Sequence, residues 1–334
     1  DQIIRIKSEG YEMDIVDLVS LAPDKGERNL ASALIRGIAA RFVQLGRKIG
    51  GFDAYTTSNV LSGSGLSSSA AFEVLVGTVL NHLFNEAAFS PAEIAQIGQY
   101  AENVYFGKPC GLMDQTASAV GGFVAIDFAD PAAPKIDKLA YDFASSGHVL
   151  CIVNTGGNHA DLTPDYAAVP AEMREVAALF GKTYLREVDE AAFFAAIPSL
   201  RGKTSDRAIL RAIHFFGDNA RVVQQSAALS SGDFAAFKTL VLESGRSSYQ
   251  YLQNVFSSRC PSEQGVSLAL ALSERVLKAG GAWRVHGGGF AGTIQAYVPT
   301  GLLDEYRCEI ERVMGKGTCY VLSVRPEGGI CVLP

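Results

Sequence analysis

Apolar positions recur with a helical period along several stretches of the chain and with a period of two along others. Leu30, Leu34, Ile38, Phe42 and Leu45 make one helical stripe, which the pattern ends near Gly46. Residues 70–83 are apolar on most sides through Phe72, Val74, Leu75, Val76, Val79, Leu80 and Leu83, which predicts a buried helix with its start fixed by the core. Ser90-Pro91-Ala92-Glu93 supplies a cap, a proline at the first helical position and a glutamate spaced for a capping box. The helix it opens shows Ile94, Ile97, Ala101 and Val104 on its apolar face, with Glu102 beside them. Later helices are predicted from Thr163 toward Gly181 with an interruption at Pro170, and over 206–229, 233–252, 266–279 and 302–314. Strands are predicted at 4–7, 52–57, 121–128, 148–154, 282–285 and 293–298, and within 318–324. This order is not a regular βαβ series. It predicts an α+β chain of two lobes, 1–146 and 147–334, divided at Ala144-Ser145-Ser146-Gly147. Ile4-Arg5-Ile6-Lys7 alternates like a strand yet begins abruptly, without a turn, a cap or an initiator Met, so a segment upstream is expected and the first lobe is incomplete at its start.

Composition narrows the classes. The 334 residues are 48% hydrophobic and 19% charged, enough for two ordinary cores and unlike a disordered, collagenous or coiled-coil chain. A net charge of −6 argues against a non-specific nucleic-acid partner, and no apolar run reaches membrane-spanning length. The six cysteines are scattered with no Cys-x-x-Cys pair, which reads as reduced thiols in a cytoplasmic protein, neither a disulfide framework nor a zinc site.

The stretch richest in chemistry is Ser62-Gly63-Ser64-Gly65-Leu66-Ser67-Ser68-Ser69-Ala70-Ala71, where a glycine-serine loop runs into a helical segment. Glycines let backbone approach a ligand, and the first N–H groups of a helix attract anions, so the corner is a candidate phosphate site; a flexible turn with serine capping is the alternative. Gly181-Lys182-Thr183 and Gly202-Lys203-Thr204 lack the leading glycine of a P-loop and read as surface turns. Gly287-Gly288-Gly289-Phe290-Ala291-Gly292 satisfies G-x-G-x-x-G, but a strand follows it where a dinucleotide fold needs a helix, so a tight hairpin whose backbone approaches a neighbour is expected. The five histidines show no metal-ligand spacing. Asp114, between Met113 and Gln115 after a glycine-flanked loop, is a candidate general base on a hydroxyl if partly desolvated; the alternative is a cap acting through Thr116 or Ser118.

These motifs together resemble the GHMP small-molecule kinases. Leu61 to Ala71 is similar to the family's second signature, Gly287 to Gly292 to its third, and Glu102-Asn103, Gly107, Pro109-Cys110-Gly111 and Met113-Asp114-Gln115 to the catalytic segment of its galactokinase branch. Asn154-Thr155, His159, Tyr166 and Asn219-Ala220-Arg221-Val222 fall in the same order as in that branch. The resemblance implies an N-terminal lobe of the ribosomal-S5 type, a ferredoxin-like C-terminal lobe, and ATP-dependent phosphorylation of galactose at its anomeric hydroxyl. It implies ATP phosphates cradled by Gly63, Ser64, Gly65, Leu66, Ser67, Ser68 and Ser69, Mg²⁺ held by Ser69 and Glu102, Asp114 as the base, and Asp114 and Tyr166 on the sugar, with Gly287, Gly288 and Gly289 near the active site. The expected partners are the sugar and ATP, with no nucleic acid or membrane, in a monomer or weak oligomer. A kinase for another sugar such as N-acetylgalactosamine, or a non-catalytic sugar- and ATP-binding regulator, are the alternatives. Two departures stand out: the family's Gly-Arg-x-Asn…Gly-Glu-His-x-Asp-Tyr stretch is not among the 334 residues, and Ala167-Ala168-Val169-Pro170 replaces Asn-x-Arg-Arg after Tyr166.

Overall fold

The structure, a computed structural model, describes residues 1–60, 66–130, 133–157 and 162–332. The chain forms two compact units: Asp1–Ile126 with Ile136–Lys138 and Arg325–Pro334, and Asp127–Lys135 with Leu139–Val324.

In the first unit a three-stranded sheet is ordered β2-β1-β3, from β1 (Ile3–Ser8), β2 (Met13–Asp17) and β3 (Phe52–Thr56). β1 runs antiparallel to β2 and parallel to β3, with Ile4 opposite Phe52 and Ile6 opposite Ala54. The alternation of β1 sends Ile4 and Ile6 into the core, where they meet Leu34, Ile35, Ile38 and Phe42 of α1 (Ala31–Gln44). Two further helices, α2 (Ser68–Asn85) and α3 (Pro91–Ala101), pack on α1 and on each other. The expected capping box is formed: the Ser90 hydroxyl and the Glu93 carboxylate each take a hydrogen bond from the other's backbone N–H. A π-helical turn, Glu102–Phe106, follows α3, and α4 (Met113–Val120) leads into the hairpin of β4 (Phe123–Asp127) and β5 (Lys135–Leu139).

α2 departs from the all-apolar helix expected. Leu75 and Leu83 are exposed, whereas Glu73, Gly77 and Asn81 are buried. Spaced by four residues, these three form one ridge turned toward α3. Gly77 faces Ile94, and Gly98 of α3 leaves the space in which the Glu73 carboxylate lies. The Asn81 amide exchanges hydrogen bonds with the backbone of Phe89, at 2.9 and 3.0 Å, and so pins the turn into α3. Val104, expected on the apolar face of α3, is exposed because the π-turn rotates it off that face.

The second unit carries a four-stranded antiparallel sheet ordered β7-β8-β6-β9, from β6 (His148–Asn154), β7 (Ala282–His286), β8 (Thr293–Pro299) and β9 (Cys319–Leu322). Among the described residues, the α-helices between β6 and β7 in sequence are α5 (Thr163–Ala178), α6 (Glu190–Leu200), α7 (Asp206–Ser230), α8 (Phe234–Ser247) and α9 (Gly265–Leu277). α10 (Leu303–Met314) connects β8 to β9. The succession β-helices-β-β-α-β with the first strand inside the sheet is the ferredoxin-like order expected. Pro170 does not interrupt α5; the helix runs through it with the ring on the exposed face. α6 was not expected, since its Glu-Ala-Ala-Phe-Phe-Ala-Ala-Ile sequence has no single apolar stripe. Both P-loop look-alikes are exposed turns with glycine at positive φ, Gly181 at +68° and Gly202 at +89°. His214 is buried against the Ser247 hydroxyl at 2.9 Å, a structural role.

The residues after β9 return to the first unit. The Gly122 N–H donates to the Arg325 carbonyl at 2.7 Å, and Gly328 lies flat against the Ala119 carbonyl at the end of α4. Any side chain at 328 would overlap that carbonyl. Gly328→Ala should therefore lower unfolding stability by about 1–3 kcal/mol in urea titrations, while Gly301→Ala, which meets nothing, should change it by less than about 0.5 kcal/mol. Equal stability of the two variants would show that the tail does not dock as described.

Candidate active site

Of the candidate phosphate loop, Gly63, Ser64 and Gly65 lie outside the described residues, while Leu66, Ser67, Ser68 and Ser69 lie within them. Ser67 stands before the first residue of α2 in the left-handed region, at φ +53°, a conformation that costs a serine about 1–3 kcal/mol. Its side chain does not cap the helix. The Ser67 hydroxyl instead donates to Asp114 Oδ2 at 2.5 Å, across to the first turn of α4. Asp114 is exposed, contrary to the desolvated carboxylate expected, and it accepts a neighbouring hydroxyl where capping through Thr116 or Ser118 had been the alternative.

In the first turn of α2, the Ser69 hydroxyl donates to Glu102 Oε1 at 3.2 Å. Glu102 is the first residue of the π-turn, is only 2% exposed, and accepts the backbone N–H groups of Gly107 and Lys108 at its own carbonyl. That closure brings the Lys108 ammonium to 3.5 Å from Glu102 Oε1. The second oxygen, Oε2, takes a hydrogen bond from Gln115 Nε2 at 2.9 Å, and the same nitrogen donates to Glu73 Oε2 at 3.0 Å. The Asn103 amide holds the intervening loop by accepting the Cys110 N–H at 2.7 Å. Burial pushes the Glu73 carboxyl from its ordinary 4.5 up to about 8; the Gln115 hydrogen bond opposes this and the Glu102 charge adds to it. Burial, with the Glu102 carboxylate as acceptor, likewise pushes the Cys110 thiol up to about 12 and leaves it unreactive at neutral pH.

Ser69 and Glu102 are a hydroxyl and a carboxylate facing each other, with a positive charge already drawn to the shared oxygen. Such a donor pair fits a hard divalent cation, which takes oxygen ligands and fills the rest of its shell from water and bound phosphates.

The second unit gathers the other predicted residues. β7 delivers Gly287, Gly288 and Gly289 to a loop into which the Tyr166 ring packs from α5. The Tyr166 hydroxyl donates to the Gly289 carbonyl at 2.9 Å, and its ring meets Phe290 edge-on at 5.5 Å. Gly289, at φ +80°, has no room for a side chain because the Asn254 carbonyl comes against it; that carbonyl accepts the Phe290 N–H while the Asn254 amide donates to Gly288 at 3.1 Å. The Thr155 hydroxyl and N–H both reach the Gly292 carbonyl at 2.8 Å, and His159 is outside the described residues.

Ser67, Ser69, Glu102 and Asp114 are thus brought together in one unit, and Tyr166 with Gly287 to Gly289 in the other. Glu73, Lys108 and the bridging role of Gln115 were not identified from sequence. The signal for Glu73 was a lone carboxylate four residues after Ser69 on an otherwise apolar helix.

Because the folded chain holds a proton on Glu73 that the unfolded chain releases above about pH 4.5, this group favours folding most at low pH, and the advantage fades as pH rises through about 8. Urea unfolding between pH 5 and 9, without nucleotide or metal, should show stability falling with pH at up to about 1.4 kcal/mol per unit, and Glu73→Gln should flatten the slope. An unchanged slope in that variant would sink the assignment.

Comparison with known proteins places the chain. The GHMP kinases N terminal domain family matches residues 29–122. A galactokinase of Streptomyces coelicolor is 33% identical over 313 residues, which is 93% of this chain and 77% of that one. A galactokinase of Streptomyces lividans is 31% identical over 314 residues, covering 93% and 75%. The crystal structure of Lactococcus lactis galactokinase complexed with galactose matches with a TM-score of 0.78 at 25% identity, over 98% of this chain and 84% of that one. With this identity over this length, and with the signatures in order, the chain belongs to the galactokinase family of the GHMP kinases.

Proposed function

We propose that the chain transfers the γ-phosphoryl group of ATP to the anomeric hydroxyl of galactose, giving galactose 1-phosphate and ADP. The observation that carries the chemistry is the 2.5 Å hydrogen bond from Ser67 to Asp114 beside the N-terminus of α2. It supports Asp114 as an exposed carboxylate at which a sugar hydroxyl replaces Ser67 as donor. Asp114 takes the proton as the sugar oxygen attacks the γ-phosphorus, and the bond to the ADP oxygen breaks. Leu66 to Ser69, which lead into and open α2, would offer N–H groups to the phosphates, with Gly63, Ser64 and Gly65 before them in sequence. Ser69 and Glu102 would hold Mg²⁺, which when bound supplies neutralising charge at the phosphate oxygens. Tyr166 would contact the sugar, with Gly287, Gly288 and Gly289 beside it; its hydroxyl donates to Gly289 and keeps a lone pair that can accept from a sugar hydroxyl. The choice of galactose rests on the two Streptomyces galactokinases and on the Lactococcus enzyme bound to that sugar. Six free cysteines fit a reducing cytoplasm, and no described helix is long and apolar enough to cross a membrane.

In the full chain, Asp114→Asn, whose amide oxygen can still accept from a sugar hydroxyl, should lower kcat by about 10²–10⁴-fold while galactose binding, measured by calorimetry, is retained. Wild-type turnover in that variant would remove Asp114 from the proton transfer. Across a panel of hexoses kcat/KM should be highest for galactose; faster turnover of N-acetylgalactosamine would reassign the substrate.

A further inference from the structure

We infer that Gln115 is the positioning residue of the metal carboxylate: its amide, anchored on Glu73, fixes Glu102 with Oε1 turned to Ser69. This rests on the proposed placing of the cation at Ser69 and Glu102. Gln115 is 1% exposed, and its nitrogen donates to Glu73 Oε2 at 3.0 Å and Glu102 Oε2 at 2.9 Å. The amide has two N–H groups and spends one on each carboxylate. Its own carbonyl oxygen is buried with no hydrogen-bond partner among the described residues. The same nitrogen lies 3.5 Å from Cys110 Sγ, so two carboxylate oxygens and a sulfur set its orientation, and the flipped amide would aim its oxygen at all three. A glutamine placed merely to fill space would not leave an acceptor unpaired at the centre of a packed unit.

The consequence is a division between the two Glu102 oxygens. Oε2 is committed to Gln115, so the carboxylate cannot rotate freely about its last bond. Oε1 is left toward Ser69 and the Lys108 ammonium, the side on which a cation would be taken. Groups that orient ligating carboxylates contribute about 10–100-fold to metal affinity when removed.

The test is a Mg²⁺ titration of the full chain with a non-hydrolysable ATP analogue, read by calorimetry, beside the Mg²⁺ dependence of turnover. Gln115→Met, close in volume and without the amide, should raise the half-saturating Mg²⁺ concentration about 10–100-fold while galactose binding without nucleotide is retained. Glu73→Gln, which keeps an acceptor for Gln115, should preserve the Mg²⁺ affinity. If the methionine variant does not fold, Gln115→Asn, an amide one methylene short of both carboxylates, carries the same expectation. A folded Gln115 variant with wild-type Mg²⁺ affinity overturns the positioning role. Glu102→Gln separates the two readings. If it too leaves the titration unchanged, the metal site itself is misplaced; if it shifts the titration and Gln115→Met does not, only the role of Gln115 fails.

Discussion

Two carboxylates, Glu73 and Glu102, are buried within reach of one amide nitrogen, and much of the N-terminal unit is shaped around keeping them there. Two ionised carboxylates in a low-dielectric interior repel strongly, so the arrangement is tolerable only if one is neutralised and both are hydrogen-bonded. Glu73, pushed up to about 8 by burial, keeps its proton at neutral pH, and the Gln115 amide gives each carboxylate a hydrogen bond. Space for Glu73 requires α2 and α3 to approach without a side chain at Gly98. Access to Glu102 requires the widened π-turn, whose closing N–H groups carry Lys108 back over the carboxylate.

The second unit meets a different constraint with a similar device. There the Asn254 carbonyl fills the place a side chain at 289 would occupy, and Gly288 yields to the Tyr166 ring. Glycine is needed at both points because other chain atoms stand where a Cβ would be, and at 289 also because φ is positive. Tyr166, tied to the Gly289 carbonyl and set edge-on to Phe290, is held by the loop that it holds. The ring is thereby oriented although Ala167 to Pro170 lack the arginines that the family places after it.

What could be read from sequence was what local chemistry decides. The Ser90–Glu93 box, the alternation of β1 and the glycine hairpin are each specified by residues a few positions apart and are present; of the expected α1 stripe, Leu34, Ile38 and Phe42 are buried, while Leu30 and Leu45 flank the helix and are exposed. The candidate site was legible only as motifs that together resemble one family, since each alone had a plain structural alternative. Its wiring was not legible. Glu73 and Gln115 are 42 positions apart, and nothing in either neighbourhood says that α2 and α4 present them to one another. The apolar letters of α2 pointed to burial on most sides, but tertiary contact chose the ridge of Glu73, Gly77 and Asn81 and left Leu75 and Leu83 outside. Asp114 was expected to be desolvated by Met113, yet both are exposed, since the inward place on that turn is taken by Gln115.

That last exchange explains how one short helix serves two tasks. Successive helical residues point about 100° apart, so at the start of α4 the outward carboxylate of Asp114 meets the Ser67 hydroxyl while the inward amide of Gln115 meets Glu102. Both bonds reach the strand of chemistry that begins α2: Ser67 directly, and Ser69 through Glu102. Asp114 and Gln115 are neighbours in the first turn of α4, so displacing the proposed base would also strain the hold on the proposed metal carboxylate. A phosphoryl transfer that depends on placing base and charge together gains from that coupling, because the two placements are set by a single helical turn.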